Sequence, residues 1–354
     1  MSNFLSKNLA ALRPYVPGEQ PQDKSYIKLN TNESPYPPAP GAAAAAAAET
    51  ERLNLYSDPT CLPLKRAAAA VYGLAPDNVM AGNGSDENLA HIFRAFLTDK
   101  GVAFPDITYG FYPVLCSLIG IEYKIIPLRH DFKIAVSDYK DITCPVCIAN
   151  PNAQTGIYLP PDGIEALILQ NESRLVIVDE AYIDFGGISC APLVNKYKNL
   201  IVVQTMSKSR SLAGARVGFA FACGEIIADL ESVRASFNPY NINRMSMFAA
   251  EASFKDKKYF EECTQKIKLT REYAATKLKE MGFEVLPSTA NFLLARHSAI
   301  GGGRLYSALK ERGILVRHFS DERITDFVRI SIGTDGQMAA LLQAVKNILS
   351  EVAK

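Results

Sequence analysis

Between Val79 and Cys223 the chain alternates short apolar runs with amphipathic stretches, and this rhythm limits the fold more than any other feature. VMAG, GVAFP, IEYKIIPL, CPVCIAN, RLVIVD, LIVVQT and RVGFAFAC read as strands. Most run on without polar alternation, as strands buried on both faces do. Helical segments separate several of them, including ENLAHIFRAFL, FYPVLCSLIG and PPDGIEALILQ, the last with Asp162 as its expected cap. Parallel strands need crossovers of this kind. The expected fold class is therefore α/β, a mostly parallel sheet sandwiched by helices.

The flanks read differently. Residues 1–35 are expected to form an N-terminal arm, with a short helix over Phe4 to Leu12 that Pro14 and Pro17 end. LNTNESPYPP then runs on as extended, turn-rich chain. A large domain is expected over 36–243, opening with an alanine-rich helix from Gly41 to Leu53 and a second over Leu62 to Tyr72. After about 244 the spacing becomes helical from Arg244 to Met281. Four short strands follow (FEVLPS, ANFLLAR, ILVRHF, FVRISIG), with helices over Arg304 to Arg312 and Asp335 to Val352 and a Gly301 to Gly303 loop. This predicts a smaller C-terminal α/β domain over 244–354.

Composition excludes several functions. At 354 residues, 48% hydrophobic and 21% charged, the chain can bury the cores of two domains. A net charge of +1 gives no broad basic field for nucleic acid or a membrane surface. No apolar run reaches the roughly 20 residues that a membrane span needs. The first residues lack the apolar core of a signal peptide, so a cytoplasmic protein is expected. Seven scattered cysteines read as reduced thiols, Cys144 and Cys147 lie in a strand without a second pair, and the four histidines have no ligand spacing. No metal is expected.

Ligands of open α/β sheets bind beyond the carboxyl ends of the strands, so the residues delivered there matter most. After VMAG, Gly82 and Gly84 permit a tight turn, and Ser85 and Asp86 start a helix. Its N-terminus suits a phosphate, although a plain capped turn has the same residues. Tyr109 or Tyr112 can stack on a flat ring, and Tyr112 fits a core face more readily. Asn150, Asn152 and Thr155 offer hydrogen bonds in the loop NPNAQTG, or simply make a polar turn. Asp179 ends a buried strand and needs a partner, which a protonated pyridine nitrogen would be. The phenol of Tyr182, three residues on, can reach a ring hydroxyl. Lys208 follows LIVVQT among Ser207, Ser209, Arg210, Ser211 and Arg216. Desolvation and nearby cations would lower its pKa and make its amine a nucleophile. An amine of that kind beside a phosphate site is what pyridoxal 5′-phosphate requires. In the C-terminal part, Arg317 and Arg329 suit a carboxylate or phosphate, or structural ion pairs.

YSDPT, NGSDE, NPNAQTG, DEAYIDF, SKSRSLAGARVG, ILVRHF and RISIGT stand in an order and spacing that resembles the class I and II aminotransferases of pyridoxal-phosphate fold type I. The resemblance runs nearly end to end, from LRPY to RISIGT, and within that family it is strongest to the histidinol-phosphate aminotransferases. It implies that Lys208 holds the cofactor covalently and later moves the proton. It further implies that Asp179 binds the pyridine nitrogen, Tyr182 the ring hydroxyl, and Tyr109 the ring face. Ser207, Arg216 and the Gly84-Ser85-Asp86 turn would hold the phosphate, and Tyr56 would reach it from the other subunit of a homodimer. Arg329 and Arg317 would bind the anionic groups of the substrates, with Tyr15 and Asn32 bordering them. One position departs from the family loop N-P-N-N-P-T-G: Ala153 stands where an asparagine would bond the ring hydroxyl. Either Asn152 turns inward to replace it or Tyr182 bonds alone. The resemblance implies transfer of an amino group between glutamate and a phosphorylated imidazole substrate. A threonine-phosphate decarboxylase, an aromatic amino acid aminotransferase and a non-catalytic binding protein remain as alternatives.

Overall fold

The computed structural model describes every residue except Met1, Asn3, Lys24 and Lys354. Seven strands form the larger sheet, in the order Val79–Gly82, Gly218–Ala222, Leu200–Thr205, Val176–Asp179, Val146–Ala149, Val102–Pro105, Tyr123–Ile126. Gly218–Ala222 runs antiparallel to both neighbours, and every other pairing is parallel. Val146–Ala149 and Val176–Asp179 are buried along their whole length, as their unbroken apolar runs require. Tyr123–Ile126 forms an edge, and there the burial stops. Apolar side chains pack on both faces of the sheet in separate clusters, one including Leu89, Phe93 and Tyr112, the other Leu64, Ile164 and Phe219.

A second, antiparallel sheet is ordered Arg317–His318, Val328–Ser331, Phe292–Arg296, Glu284–Val285. The N-terminal segment is tied to this part of the chain, because Ile27–Lys28 pairs in parallel with Ile314–Leu315. Arg323 links the two sheets. It forms an ion pair with Asp106 and donates to the carbonyls of Leu128 (3.1 Å) and Arg129 (2.9 Å).

Several local expectations change. The segment from Arg244 to Met281 is two helices, Arg244–Lys255 and Lys257–Glu280. Asp256 leaves helical geometry and its carboxylate accepts the N–H of Tyr259, so it caps a new helix where continuous spacing suggested one rod. The alanine-rich helix is Pro40–Ala48, shorter than expected, and Thr50–Arg52 tightens into a 3-10 turn. Pro160 occupies the cap position before Pro161–Leu169, and Asp162 lies inside the first turn. Among the described residues near the N-terminus only Lys7–Leu9 is helical, as a 3-10 turn, and Phe4 is almost fully exposed. Gly302 and Gly303 open the helix Gly302–Glu311 instead of forming a loop. A Cβ on Gly302 would lie 2.7 Å from the carbonyl oxygens of Thr325 and Phe327, so only glycine permits that approach. Among the described residues no helix is long and apolar enough to cross a membrane.

Candidate active site

A cavity of ≈ 680 Å³ opens at the carboxyl ends of Val176–Asp179 and Leu200–Thr205. The larger sheet, the N-terminal segment and the smaller sheet all contribute walls. Tyr15, Asn32, Ser85, Asp86, Tyr109, Asp179, Tyr182, Ser207, Lys208, Arg216, Arg317 and Arg329 line it; Gly84, Asn152 and Tyr56 do not.

Lys208 stands three residues past its strand. Its Nζ donates to the carbonyl of Thr31 (3.1 Å) and lies 5.9 Å from the ring centre of Tyr182. Loss of water around the amine, with Arg329 and Arg216 nearby, lowers its pKa from 10.5 to about 8. The amine is therefore available as a nucleophile or base near neutral pH.

Asp179 is the last residue of its strand and 4% exposed. Its Oδ2 accepts the hydroxyl of Tyr112 (2.9 Å) and its Oδ1 the N–H of Ala181 (3.2 Å). Both donors are neutral, and burial raises the carboxyl from 3.8 to about 6. Such an acid is best satisfied by a cationic partner reaching it through the cavity. From the sequence, Tyr112 could stack on a ring or, more readily, pack in the core. It is fully buried, but its hydroxyl serves Asp179. The available signal was a phenol on an otherwise apolar helix face, which must find an acceptor when buried.

The anion end of the cavity is built from two loops. Gly84, at φ 80°, lies under Arg216, and a Cβ there would approach Arg216 Nη2 to 2.6 Å. Gly84 thus shapes the cradle from beneath. Behind it begins the helix Ser85–Phe96, which has no side-chain cap; its first residues, Ser85 and Asp86, line the cavity, and the N–H groups of a first helical turn suit an anion. Ser207 Oγ accepts from Thr205 Oγ1 (2.8 Å), which leaves the Ser207 proton for a ligand. The carboxylate of Asp86 is held by Tyr109 Oη (3.0 Å) and Arg216 Nη2 (3.2 Å). It cannot hold a phosphate; only its backbone N–H can. The same bond fixes the ring of Tyr109, against whose edge Tyr15 packs at 5.8 Å.

Asn152 does not turn inward. Its Nδ2 donates to Ile107 O (2.7 Å), and its Oδ1 accepts the N–H groups of Gln154 and Thr155 (3.0 Å each). Both ends of the amide shape the loop, so Asn152 cannot take the place of the asparagine missing at Ala153. Ala153 and Gln154 face the cavity instead.

Arg329 donates through Nη1 to Ala153 O (2.8 Å) and lies over the rings of Phe292 and Phe319. Arg317 donates to Val16 O (3.0 Å) and Pro17 O (3.1 Å). Both guanidinium groups thus face neutral carbonyls, for which an anion is the stronger acceptor. Tyr56 is on the outer surface, 78% exposed, its ring stacked on Tyr240 at 4.4 Å. Among the described residues no cluster of three or more His, Cys, Asp or Glu could hold a metal ion.

A lowered lysine, a buried acid, a tyrosine face and a glycine-floored nest of N–H, hydroxyl and guanidinium donors fit a flat, cationic, phosphorylated ring. The family model of aminotransferase class I and II matches residues 24–345. A histidinol-phosphate aminotransferase of Bradyrhizobium diazoefficiens is 47% identical over 99% of this chain and all of its own. One from Acinetobacter baumannii is 50% identical over 97% of this chain and 96% of its own. The crystal structure of the Sinorhizobium meliloti histidinol-phosphate aminotransferase in complex with pyridoxal 5′-phosphate superposes with a TM-score of 0.83 at 25% identity, covering 93% of this chain and 92% of that one.

Proposed function

This chain belongs to the class I and II aminotransferases, and from that footing we propose that it is a histidinol-phosphate transaminase. It exchanges the amino group between L-glutamate and imidazole acetol phosphate, a step of histidine biosynthesis. The observation that carries this reading is one cavity that joins Lys208 and Asp179 to two arginines whose present partners are carbonyl groups. Relatives about half identical over their full length carry that same enzyme name.

The cofactor is pyridoxal 5′-phosphate, which when bound supplies the electron sink that lets an amino group leave one carbon and join another. Lys208 is the residue that holds it, and Nζ, at a pKa of about 8, can both take and return a proton. Asp179 supplies the negative charge for the ring nitrogen, oriented by Tyr112 and Ala181. Tyr109 covers the ring face. Ser85, Ser207, Arg216 and the N–H groups beyond Gly84 hold the phosphate. Arg329 and Arg317 take the carboxylate of one substrate and the phosphate of the other, with Tyr15 at the rim.

The reading includes a division into an arm (1–35), a large domain (36–243) and a small domain (244–354). It also includes a homodimer in the cytoplasm. Tyr56 lies outside its own cavity, so a phosphate contact from Tyr56 requires a second subunit. Purified protein given histidinol phosphate and 2-oxoglutarate should form glutamate. Carbon dioxide release from threonine phosphate, or faster turnover of aromatic amino acids, would overturn the substrate assignment.

A further inference from the structure

Asn32 has a backbone conformation, a set of partners and a burial that a residue on the substrate rim does not need. It is 1% exposed and sits at φ 55°, in the left-handed region that most side chains avoid. Its N–H donates to Ser331 Oγ (2.9 Å), and Ser331 Oγ donates back to Asn32 Oδ1 (2.8 Å). Its carbonyl accepts from Asn291 Nδ2 (2.9 Å). These bonds fix which way the amide faces. Oδ1 is held by Ser331, so Nδ2 must point at Tyr182, whose Oη it meets at 3.0 Å.

The consequence lies in the single proton of Tyr182. A phenol oxygen that accepts from Asn32 has its own O–H left to give. Tyr182 lines the cavity, so that O–H is free for a ligand bound there. Ala153, on the same wall, has no donor in its side chain. We propose that Asn32 is a positioning residue that makes Tyr182 an obligate hydrogen-bond donor to the ring hydroxyl oxygen of the cofactor. The proposal rests on the cofactor reading above and assigns Asn32 to the cofactor side, away from the substrate. It also ties the ring to the smaller sheet, because Ser331 lies two residues from Arg329 on the same strand.

Donors to the ring oxygen stabilise its anion, so losing one should raise the pH at which the visible absorbance of the bound cofactor changes. The experiment titrates that absorbance in the wild type, Asn32→Asp, Tyr182→Phe and the double variant, with the affinity of each apoprotein for pyridoxal 5′-phosphate measured by fluorescence quenching. Aspartate keeps the shape of asparagine and offers Tyr182 an acceptor in place of a donor, which turns the phenol proton away from the ring. Asn32→Asp should move the transition upward by about 0.5 to 1 pH unit, a three- to tenfold change in the protonation equilibrium. Tyr182→Phe should do the same, and the double variant should go no further than Tyr182→Phe alone, because Asn32 acts through that hydroxyl. An Asn32→Asp titration identical to the wild type, or additive shifts in the double variant, sinks the proposal. If Tyr182→Phe itself leaves the titration unmoved, the error lies in the cofactor role given to Tyr182. Should Asn32→Asp fold poorly, Ser331→Ala frees the same amide from the other side and is expected to move the transition in the same direction.

Discussion

The hydroxyl of Tyr112 and the carboxylate of Asp179 meet at 2.9 Å, both buried, with Asp179 lining the cavity. Asp179 also accepts the N–H of Ala181, and the thiol of Cys147 lies against the same phenol. Tyr112→Phe should therefore leave Asp179 both less ionised and less well aimed. Removing a hydrogen bond to a charged group costs about 1.5–3 kcal/mol, so affinity for pyridoxal 5′-phosphate should fall roughly 10- to 100-fold. Equilibrium titration of the apoprotein checks this, and an affinity within twofold of the wild type would count against it.

Asp179 also limits the stability of the cofactor-free protein. Its folded pKa, about 6, lies above the free value of 3.8. The folded state therefore holds this proton more tightly, so its stabilising contribution is full below the free value and is lost as pH rises through about 6. Asp179→Asn removes the buried charge. The apoprotein should then gain up to about 3 kcal/mol above pH 6 and little below pH 4. Cofactor affinity should drop at the same time. Denaturant melts at the two pH values decide the matter; equal gains at both would contradict it.

Much of the architecture could be read from the chain because buried parallel strands leave unbroken apolar runs, and the residues that end VIVD and follow LIVVQT must then lie at the carboxyl end of the sheet. Asp179 and Lys208 were found that way. Tyr112 was not, because an apolar helix face hides a hydroxyl whose acceptor is 67 residues away. The Arg323 to Asp106 link was equally hidden, since nothing local distinguishes a surface arginine from one that joins two sheets. Asn152 misled because an asparagine amide serves a loop and a ligand equally well, and only the positions of Ile107, Gln154 and Thr155 decide between them. Asp256 was missed for a related reason: helical spacing on both sides of a cap gives no sign of the break.

Lys208 should be chemically distinct from the other lysines. Its pKa of about 8 leaves half of it neutral near that pH, where a lysine at 10.5 is almost wholly charged. Limited acylation of the apoprotein, followed by peptide mapping, should show Lys208 modified first, with a half-maximal rate near pH 8. A rate that climbs only toward pH 10 would show the amine to be ordinary. Lys208→Ala should abolish transamination.

Arg317 joins the arm to the cavity through Val16 and Pro17. Arg317→Ala should raise KM for histidinol phosphate about tenfold or more, the scale of one charge-assisted hydrogen bond. The glutamate half-reaction should change less if Arg329 alone serves the shorter anion. Proteolysis between residues 13 and 18 should also quicken, because two of the bonds that tether the arm are gone, while Glu19 stays held by Lys310 and Tyr306. Equal effects on both substrates would mean that Arg317 acts only through the fold.

The proposed homodimer makes a prediction that no single variant can test. Tyr56 is exposed and outside its own cavity, whereas Lys208 lies within it. On the proposed homodimer, Lys208→Ala removes the amine from its own site, and Tyr56→Phe or Tyr56→Ala takes a phosphate contact from the site of the other subunit. Lys208→Ala alone should be inactive, and Tyr56→Ala alone weakened in cofactor affinity. In a mixed dimer the two defects fall in the same site, and the other site has an intact Lys208 and an intact Tyr56. Co-refolding or co-expression of the two variants should therefore restore tight cofactor binding and activity in about one site per mixed dimer. Size-exclusion chromatography with light scattering establishes the dimer independently. If the mixture shows only the sum of the separate variants while dimers form and exchange, Tyr56 does not cross between subunits, and each cavity holds the phosphate with its own Ser85, Ser207 and Arg216.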